Sequence, residues 1–150
     1  MKPLIELLVS FVITLGITKL ILRYFDFALS GRIAMSIMMV FTAIAHFAFT
    51  KGMEMMIPDF IPFKRTLIHL TGALEICAAA GLLIPNLRQL TGWLLILFFI
   101  LLLPANINAA IKHIDYQNGT FKGAGPSYLW FRVPLQILFI CWTYFSAIRY

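Results

Sequence analysis

The residues able to pair, bind or carry protons are few in this sequence, and most fall inside apolar runs. Two matter most for their cost: Glu75 in Leu70-Thr-Gly-Ala-Leu-Glu-Ile76 and Arg132 in Trp130-Phe-Arg-Val-Pro-Leu-Gln136. A carboxylate or guanidinium at membrane depth costs at least ~2.5–3.5 kcal/mol on insertion scales, so it persists where it faces a bundle interior and meets a partner. Glu75 and Arg132 are expected to pair, with His46, Asn106 and Gln136 supplying hydrogen bonds. Gln136 lies one helical turn beyond Arg132 on the same face. This set would floor a polar pocket for the headgroup of a small amphiphile, or form a buried ion pair that only fixes helix register. Both readings stay open.

Other chemistry is poorly provided for. Two of His46, His69 and His113 could in principle ligate one haem iron. However, His69 and Glu75 are six residues apart, about 120° round a helix, and do not face one small site squarely. No HxxxH, HExxH or CxxC pattern occurs, so haem and metal are not expected. His113, between Lys112 and Asp115, reads as interfacial. Cys77 and Cys141 lie in apolar runs and read as buried, inert thiols rather than a disulfide. In Lys51–Phe63, Met53, Met55 and Met56 could be soft copper(I) ligands. The preferred reading is a segment in the headgroup region, with Met55, Met56, Pro58, Phe60 and Pro62 forming a lid over the pocket mouth. No nucleophile–base pair, phosphate-cradling glycine loop or catalytic carboxylate dyad can be assembled, so catalysis by this chain alone is not indicated.

The elements that must position these residues are membrane helices. Of 150 residues, 61% are hydrophobic and 12% charged, with a mean hydropathy of +0.91. A soluble domain keeps about 25% charged residues to cover its surface; lipid must do the covering here. The net charge of +6 is scattered over the ends of apolar runs, a membrane-flank pattern that excludes a nucleic-acid-binding face. Five stretches approach the ~20 apolar residues that a span requires: residues 3–22, 33–49, 66–84, 91–111 and 128–148. Arg23, Asp26 and Ser30-Gly31-Arg32 separate the first two. Lys51 to Arg65, Pro85-Asn86 and Lys112 to Ser127 separate the rest. The expectation is an all-α transmembrane helical bundle, a single domain over residues 1–150.

The first stretch could also open a signal peptide, with Ala28-Leu29-Ser30 as a small-x-small site. Its apolar length, and Arg23 and Asp26 before that site, favour a retained helix. Its Glu6, Ser10, Thr14 and Thr18 recur every four residues and form one stripe, read as a packing seam. The third stretch, rich in Gly and Ala, is expected to be the central helix. Basic residues number five on the side of the short turns (Lys19, Arg23, Arg32, Arg88, Arg149) against seven on the other (Lys2, Lys51, Lys64, Arg65, Lys112, Lys122, Arg132). Counting under the positive-inside rule therefore does not decide the orientation, while their density in the short turns favours that side as cytoplasmic.

Helix direction then sorts the polar residues. His46 ends the second span, His69 begins the third with Glu75 about 14 Å deeper, Asn106 and His113 end the fourth, and Arg132 and Gln136 begin the fifth. All fall on the side holding the two long connections, here called the loop side. Glu6 belongs there too.

Ala43-Ile-Ala-His-Phe47, Pro58-Asp-Phe-Ile-Pro62, Leu70-Thr-Gly-Ala-Leu-Glu-Ile76, Gly81-Leu-Leu-Ile-Pro85 with Arg88, Leu103-Pro-Ala-Asn-Ile107 and Trp130-Phe-Arg-Val-Pro-Leu-Gln136 together resemble the DoxX-like family, over roughly residues 33–145. The resemblance implies a four-helix core, to which the first helix is an addition. It places His46, Glu75, Pro104, Asn106, Arg132 and Gln136 at motif positions. It implies a multi-pass protein of the bacterial inner membrane, in some relatives a subunit of quinone-linked oxidoreductase assemblies. The expected ligand is a quinone or similar lipid-soluble molecule. The expected partners are the bilayer, a membrane or peripheral redox subunit, or further copies of the chain. A structural or assembly protein and a small lipid or organic-solute transporter are the rival readings.

Overall fold

A computed structural model describes residues 2–150. The apolar stretches become five long helices, α1 (Lys2–Leu22), α2 (Phe27–Ala48), α4 (Lys64–Leu83), α5 (Arg88–Ile111) and α6 (Leu129–Thr143), with a short α3 (Thr50–Met56) on the loop side. A 3-10 turn at Pro126–Tyr128 leads into α6, and a π-helical turn at Tyr144–Ile148 ends it. By length and composition α1, α2, α4 and α5 can each cross a bilayer, and so can the continuous helical stretch Pro126–Ile148 that α6 forms with its two flanking turns. The architecture is an all-α helical bundle compatible with a multi-pass membrane protein.

The outer surface agrees with that environment. Leu20, Ile21, Val12 and Leu101 are each more than three-fifths exposed, an arrangement that water would penalise at about 25 cal/mol per Å² of apolar surface. Aromatic side chains gather at the two ends: Tyr24, Phe25 and Tyr150 near the short turns, Phe60, Phe63, Phe121 and Trp130 near the long connections, all exposed. Such rings sit at membrane–water interfaces, one end apolar and the other wet.

The second helix starts six residues earlier than its apolar run implies. Asp26 caps it, its Oδ1 accepting from the Leu29 amide at 2.8 Å, and an N-cap of this type offsets orphan amides at a helix start. Ser30-Gly31-Arg32, expected as a break, is therefore helical. Arg32 is kept out of lipid by donating from Nη1 to the Ser146 carbonyl at 3.0 Å. The central helix is also α2 rather than α4. Its most apolar stretch is 44% buried, against 33% for α4 and 22% for α1. Small residues (Ser30, Gly31, Ala34, Ala43) alternate with Met35, Met38 and Met39 along it, all buried. Small positions admit neighbouring backbones and the methionines fill the irregular gaps.

The stripe on α1 is a packing seam. The buried positions of α1 are Leu7, Ser10, Thr14 and Thr18. Ser10 donates to Glu6 at 2.8 Å, Thr14 reaches the Ser30 carbonyl at 3.3 Å, and Thr18 meets the Ser30 hydroxyl at 3.2 Å. Opposite, α2 and α4 approach closely at Gly72, where an added Cβ would stand 2.9 Å from the His46 Cβ. That approach brings the loop-side end of α2 against the first turns of α4 and sets up half of the polar cluster.

Candidate functional site

The loop-side polar residues separate into two groups. The first lies between α2 and α4. His46 Nε2 is 3.5 Å from Glu75 Oε1, and its Nδ1 is 3.2 Å from the Ile68 carbonyl and 3.1 Å from the Thr71 hydroxyl. Thr71 itself donates to the Ile68 carbonyl at 2.8 Å. Glu75 is 3% exposed, and its Oε2 has no protein partner among the described residues. His69 turns aside, stacked on Phe47 with Nε2 3.4 Å from the Thr50 hydroxyl.

The second group lies between α5 and α6. Asn106 Oδ1 accepts from Arg132 Nη2 at 2.8 Å and from Nε at 3.2 Å. Asn106 Nδ2 donates to Gln136 Oε1 at 3.2 Å, and Gln136 Nε2 donates to the Phe99 carbonyl. Proline shapes this wall. Pro104, inside α5, has no amide to give the Ile100 carbonyl, so the helix is opened one turn before Asn106. A proline is tolerated in an apolar helix where side chains satisfy the loosened backbone; Gln136 bonds the adjacent carbonyl.

The expected Glu75–Arg132 pair does not form. Glu75 meets His46, and Arg132 meets the neutral amide of Asn106. The reason lies in packing: α4 places Glu75 on its α2 face, whereas Arg132 and Asn106 meet on the α5–α6 seam. The five candidate residues are thus two clusters rather than one site.

The second cluster opens onto a cavity. A pocket of ≈ 480 Å³ is lined by Asn106, Arg132, Met56, Lys2, Lys122, Asp115 and other residues of α1, α5 and the connection 112–128. Gln136 sits behind its wall; His46 and Glu75 are not part of it. Of the expected lid, Met56 reaches the pocket. Met55, Pro58, Phe60 and Pro62 do not, because α3 folds the segment back. Asn108 Nδ2 donates to the Met56 carbonyl at 2.7 Å, and Phe60 is left 84% exposed. Asp59 bridges Lys112 at 2.7 Å and Lys64 at 3.0 Å. Those two ammoniums, Lys112 first, lower the Asp59 carboxyl to about pH 2.

Sequence reasoning missed Lys2, Asp115, Tyr116, Gln117 and Lys122 as pocket residues. The signal for some of them was Asn118-Gly119, a tight-turn dipeptide that folds the connection back on itself. Asp115 and Thr120 bridge across it with mutual amide–carbonyl bonds of 2.8 and 3.2 Å. The connection then packs on α3 at Gly52, where a Cβ would run into the Tyr116 backbone.

A second cavity of ≈ 800 Å³ opens on the other side, between α1, α2 and the end of α6. Its lining is mostly aromatic (Phe11, Tyr24, Phe25, Phe27, Trp142, Phe145), and its one carboxylate, Asp26, is engaged in capping α2. It offers volume without convergent polar groups. Cys77 and Cys141 are free and lie on exposed faces, not buried as expected. No group of three or more His, Cys, Asp or Glu able to hold a metal occurs among the described residues.

Residues 35–147 match the family described as "Domain of unknown function (DUF8561)". The chain belongs to this family. The matched segment contains both polar clusters and ends within the π-helical turn, while α1 lies outside it. Neither the curated proteins nor the solved structures contain a match to the chain.

Proposed function

We propose that this DUF8561 protein is a DoxX-like, non-catalytic or redox-associated membrane subunit of the bacterial inner membrane, and that its loop-side pocket holds the polar head of a quinone or similar lipid-soluble molecule. One observation carries the reading: Asn106 and Arg132, singled out by residue type and helix direction, line a cavity of ≈ 480 Å³ at the loop-side end of the bundle. That volume lies within the range of small-molecule sites, which combine apolar walls with a few convergent polar groups. Arg132 and Asn106 supply such groups, held by Gln136 from behind. The bilayer would deliver the apolar part of the ligand laterally, and the short turns would face the cytoplasm.

Native mass spectrometry of the protein released from mild detergent tests this reading. A stoichiometric adduct with the mass of a quinone or other amphiphile, lost in Arg132→Gln, is expected. Ligand-free protein from several membrane sources, or an adduct indifferent to Arg132→Gln, would remove the assignment.

A structural or assembly role is favoured by a different observation. The His46–Glu75 pair lies between α2 and α4 with Glu75 buried, and neither residue lines either of the two cavities described above. Pairing across α2 and α4 at a buried carboxyl fits a register lock, and the same spectra would then show a protein partner retained without any small molecule.

A further inference from the structure

The charge around the loop-side pocket is unbalanced, and the imbalance specifies a ligand class. Arg132, Lys2 and Lys122 line it against a single carboxylate, Asp115. None of the three cations belongs to a salt bridge among the described residues. Arg132 spends Nε and Nη2 on a neutral amide oxygen, and its Nη1 makes no hydrogen bond to the described protein atoms. Asp115 is not free to compensate. Its Oδ1 accepts from the Gln117 and Asn118 amides at 3.0 and 3.3 Å, and its Oδ2 from the Asn118 side chain at 2.7 Å. The Asn118 side-chain bond is the largest cause holding this carboxyl below its ordinary pKa. Asp115 therefore stays ionised but committed to its own turn.

A guanidinium with two nitrogens pinned on Asn106 has a fixed orientation, and a planar fork of this kind recognises oxyanions through paired charge-assisted bonds. The pocket lies at the ends of α1, α5 and α6, with exposed Phe121 and Trp130 nearby in the chain, at the level where headgroups sit. We propose that this pocket is an anion site that takes the phosphate, sulfonate or carboxylate head of a membrane amphiphile. The inference rests on the pocket being a ligand site, and goes past that reading by fixing the charge of the head. Arg132 is the anchoring contact. Lys122 and Lys2 raise the local anion concentration and close over the head from the connection and from the start of α1.

The test uses the full chain in dodecyl maltoside, following thermal unfolding by fluorescence of its three tryptophans. Four probes are titrated: dihexanoyl phosphatidylglycerol, dihexanoyl phosphatidylcholine, inorganic phosphate and a short-chain ubiquinone. The anionic lipid should stabilise at concentrations at least tenfold lower than phosphatidylcholine. Raising NaCl from 50 to 500 mM should weaken it. Lys2→Gln/Lys122→Gln, both on exposed residues outside the packed core, should weaken binding severalfold with an unchanged melting temperature when no ligand is present. Asn106→Asp, which gives Arg132 an internal carboxylate, should abolish the preference while keeping the fold. Inorganic phosphate binding as tightly as the lipid would support the anion chemistry and assign it to a free oxyanion. Equal stabilisation by the two lipids, or full affinity in Asn106→Asp, would overturn the inference. Saturable ubiquinone binding without an anion preference would overturn it while leaving the pocket reading intact; no stabilisation by any probe would overturn both.

Discussion

Replacing Asn106 by Leu removes the atom group on which Arg132 and Gln136 converge, and the cost can be worked from the contacts. Three hydrogen bonds between α5 and α6 are lost, two from the guanidinium at 2.8 and 3.2 Å and one to Gln136 at 3.2 Å. In water-soluble proteins a bond to a charged group contributes about 1.5–3 kcal/mol. Interhelical bonds within membranes average about 0.6 kcal/mol, because the unfolded chain also finds partners there. Arg132 is half-buried beside an open pocket, where water can replace Asn106, so the lower scale applies and its two bonds contribute about 1–1.5 kcal/mol. Gln136 is 8% exposed and its Oε1 would be left without a partner, adding about 1 kcal/mol. The expected destabilisation is about 2–3 kcal/mol. Asn106→Asp also loses the donor to Gln136 Oε1, at about 1 kcal/mol, but the two bonds from Arg132 persist and gain a charge that offsets it, so the variant should differ from wild type by less than about 1 kcal/mol. Reversible unfolding in mixed dodecyl maltoside and dodecyl sulfate micelles, read by tryptophan fluorescence, measures both. An Asn106→Leu protein within about 0.5 kcal/mol of wild type would refute the view that this amide ties α5 to α6.

Other perturbations follow from the same structure. His46→Leu should cost about 1–3 kcal/mol by leaving the buried Glu75 carboxyl without its one partner, whereas the double variant His46→Leu/Glu75→Leu should recover most of that loss, because buried pairs are often replaceable by apolar residues; additive losses in micellar unfolding would contradict a closed pair. Because the folded Asp59 carboxyl titrates near pH 2, below its ordinary 3.8, its clamp on Lys112 and Lys64 should be complete above about pH 4 and disappear as the pH falls through about 2. Limited pepsin cleavage between Ile57 and Phe63, taken relative to Asp59→Asn so that the pH dependence of pepsin cancels, should rise over that window until the two proteins are cleaved alike near its lower end; a ratio that does not change with pH would contradict the clamp. Gly52→Ala should push α3 off the Tyr116 backbone and raise hydrogen exchange in residues 112–125; unchanged exchange there would show that the contact does not hold the connection.

Much of the fold was readable because lipid leaves a simple record. Apolar runs near 20 residues become helices long enough to span, and polar residues within them must find partners, so the end of the bundle holding His46, Glu75, Asn106, Arg132 and Gln136 followed from helix direction alone. The pairing did not follow. Direction fixes depth, while partners depend on which faces meet, and the rotation of α4 that turns Glu75 towards α2 is set by the Gly72 approach to His46. The beginning of α2 was hidden for a related reason: Ser30 and Arg32 look like loop residues until Asp26 caps the helix and the Ser146 carbonyl receives the guanidinium. Lys2 opens α1 and Lys122 lies far along the chain in the irregular connection before α6, where no periodicity announces that they share a pocket with Arg132.

The most direct test of where a ligand sits is photolabelling with a diazirine-bearing anionic amphiphile in native-like bilayers, followed by peptide mapping. The pocket between α5, α6 and the loop-side connection predicts label concentrated in residues 106–116 and 122–132, competed by unlabelled phosphatidylglycerol and absent from Arg132→Gln. Label concentrated instead on Tyr24–Ala28 and Trp142–Tyr150, along the larger aromatic cavity of the opposite side, or spread evenly over all five spans, would contradict the assignment of the binding site.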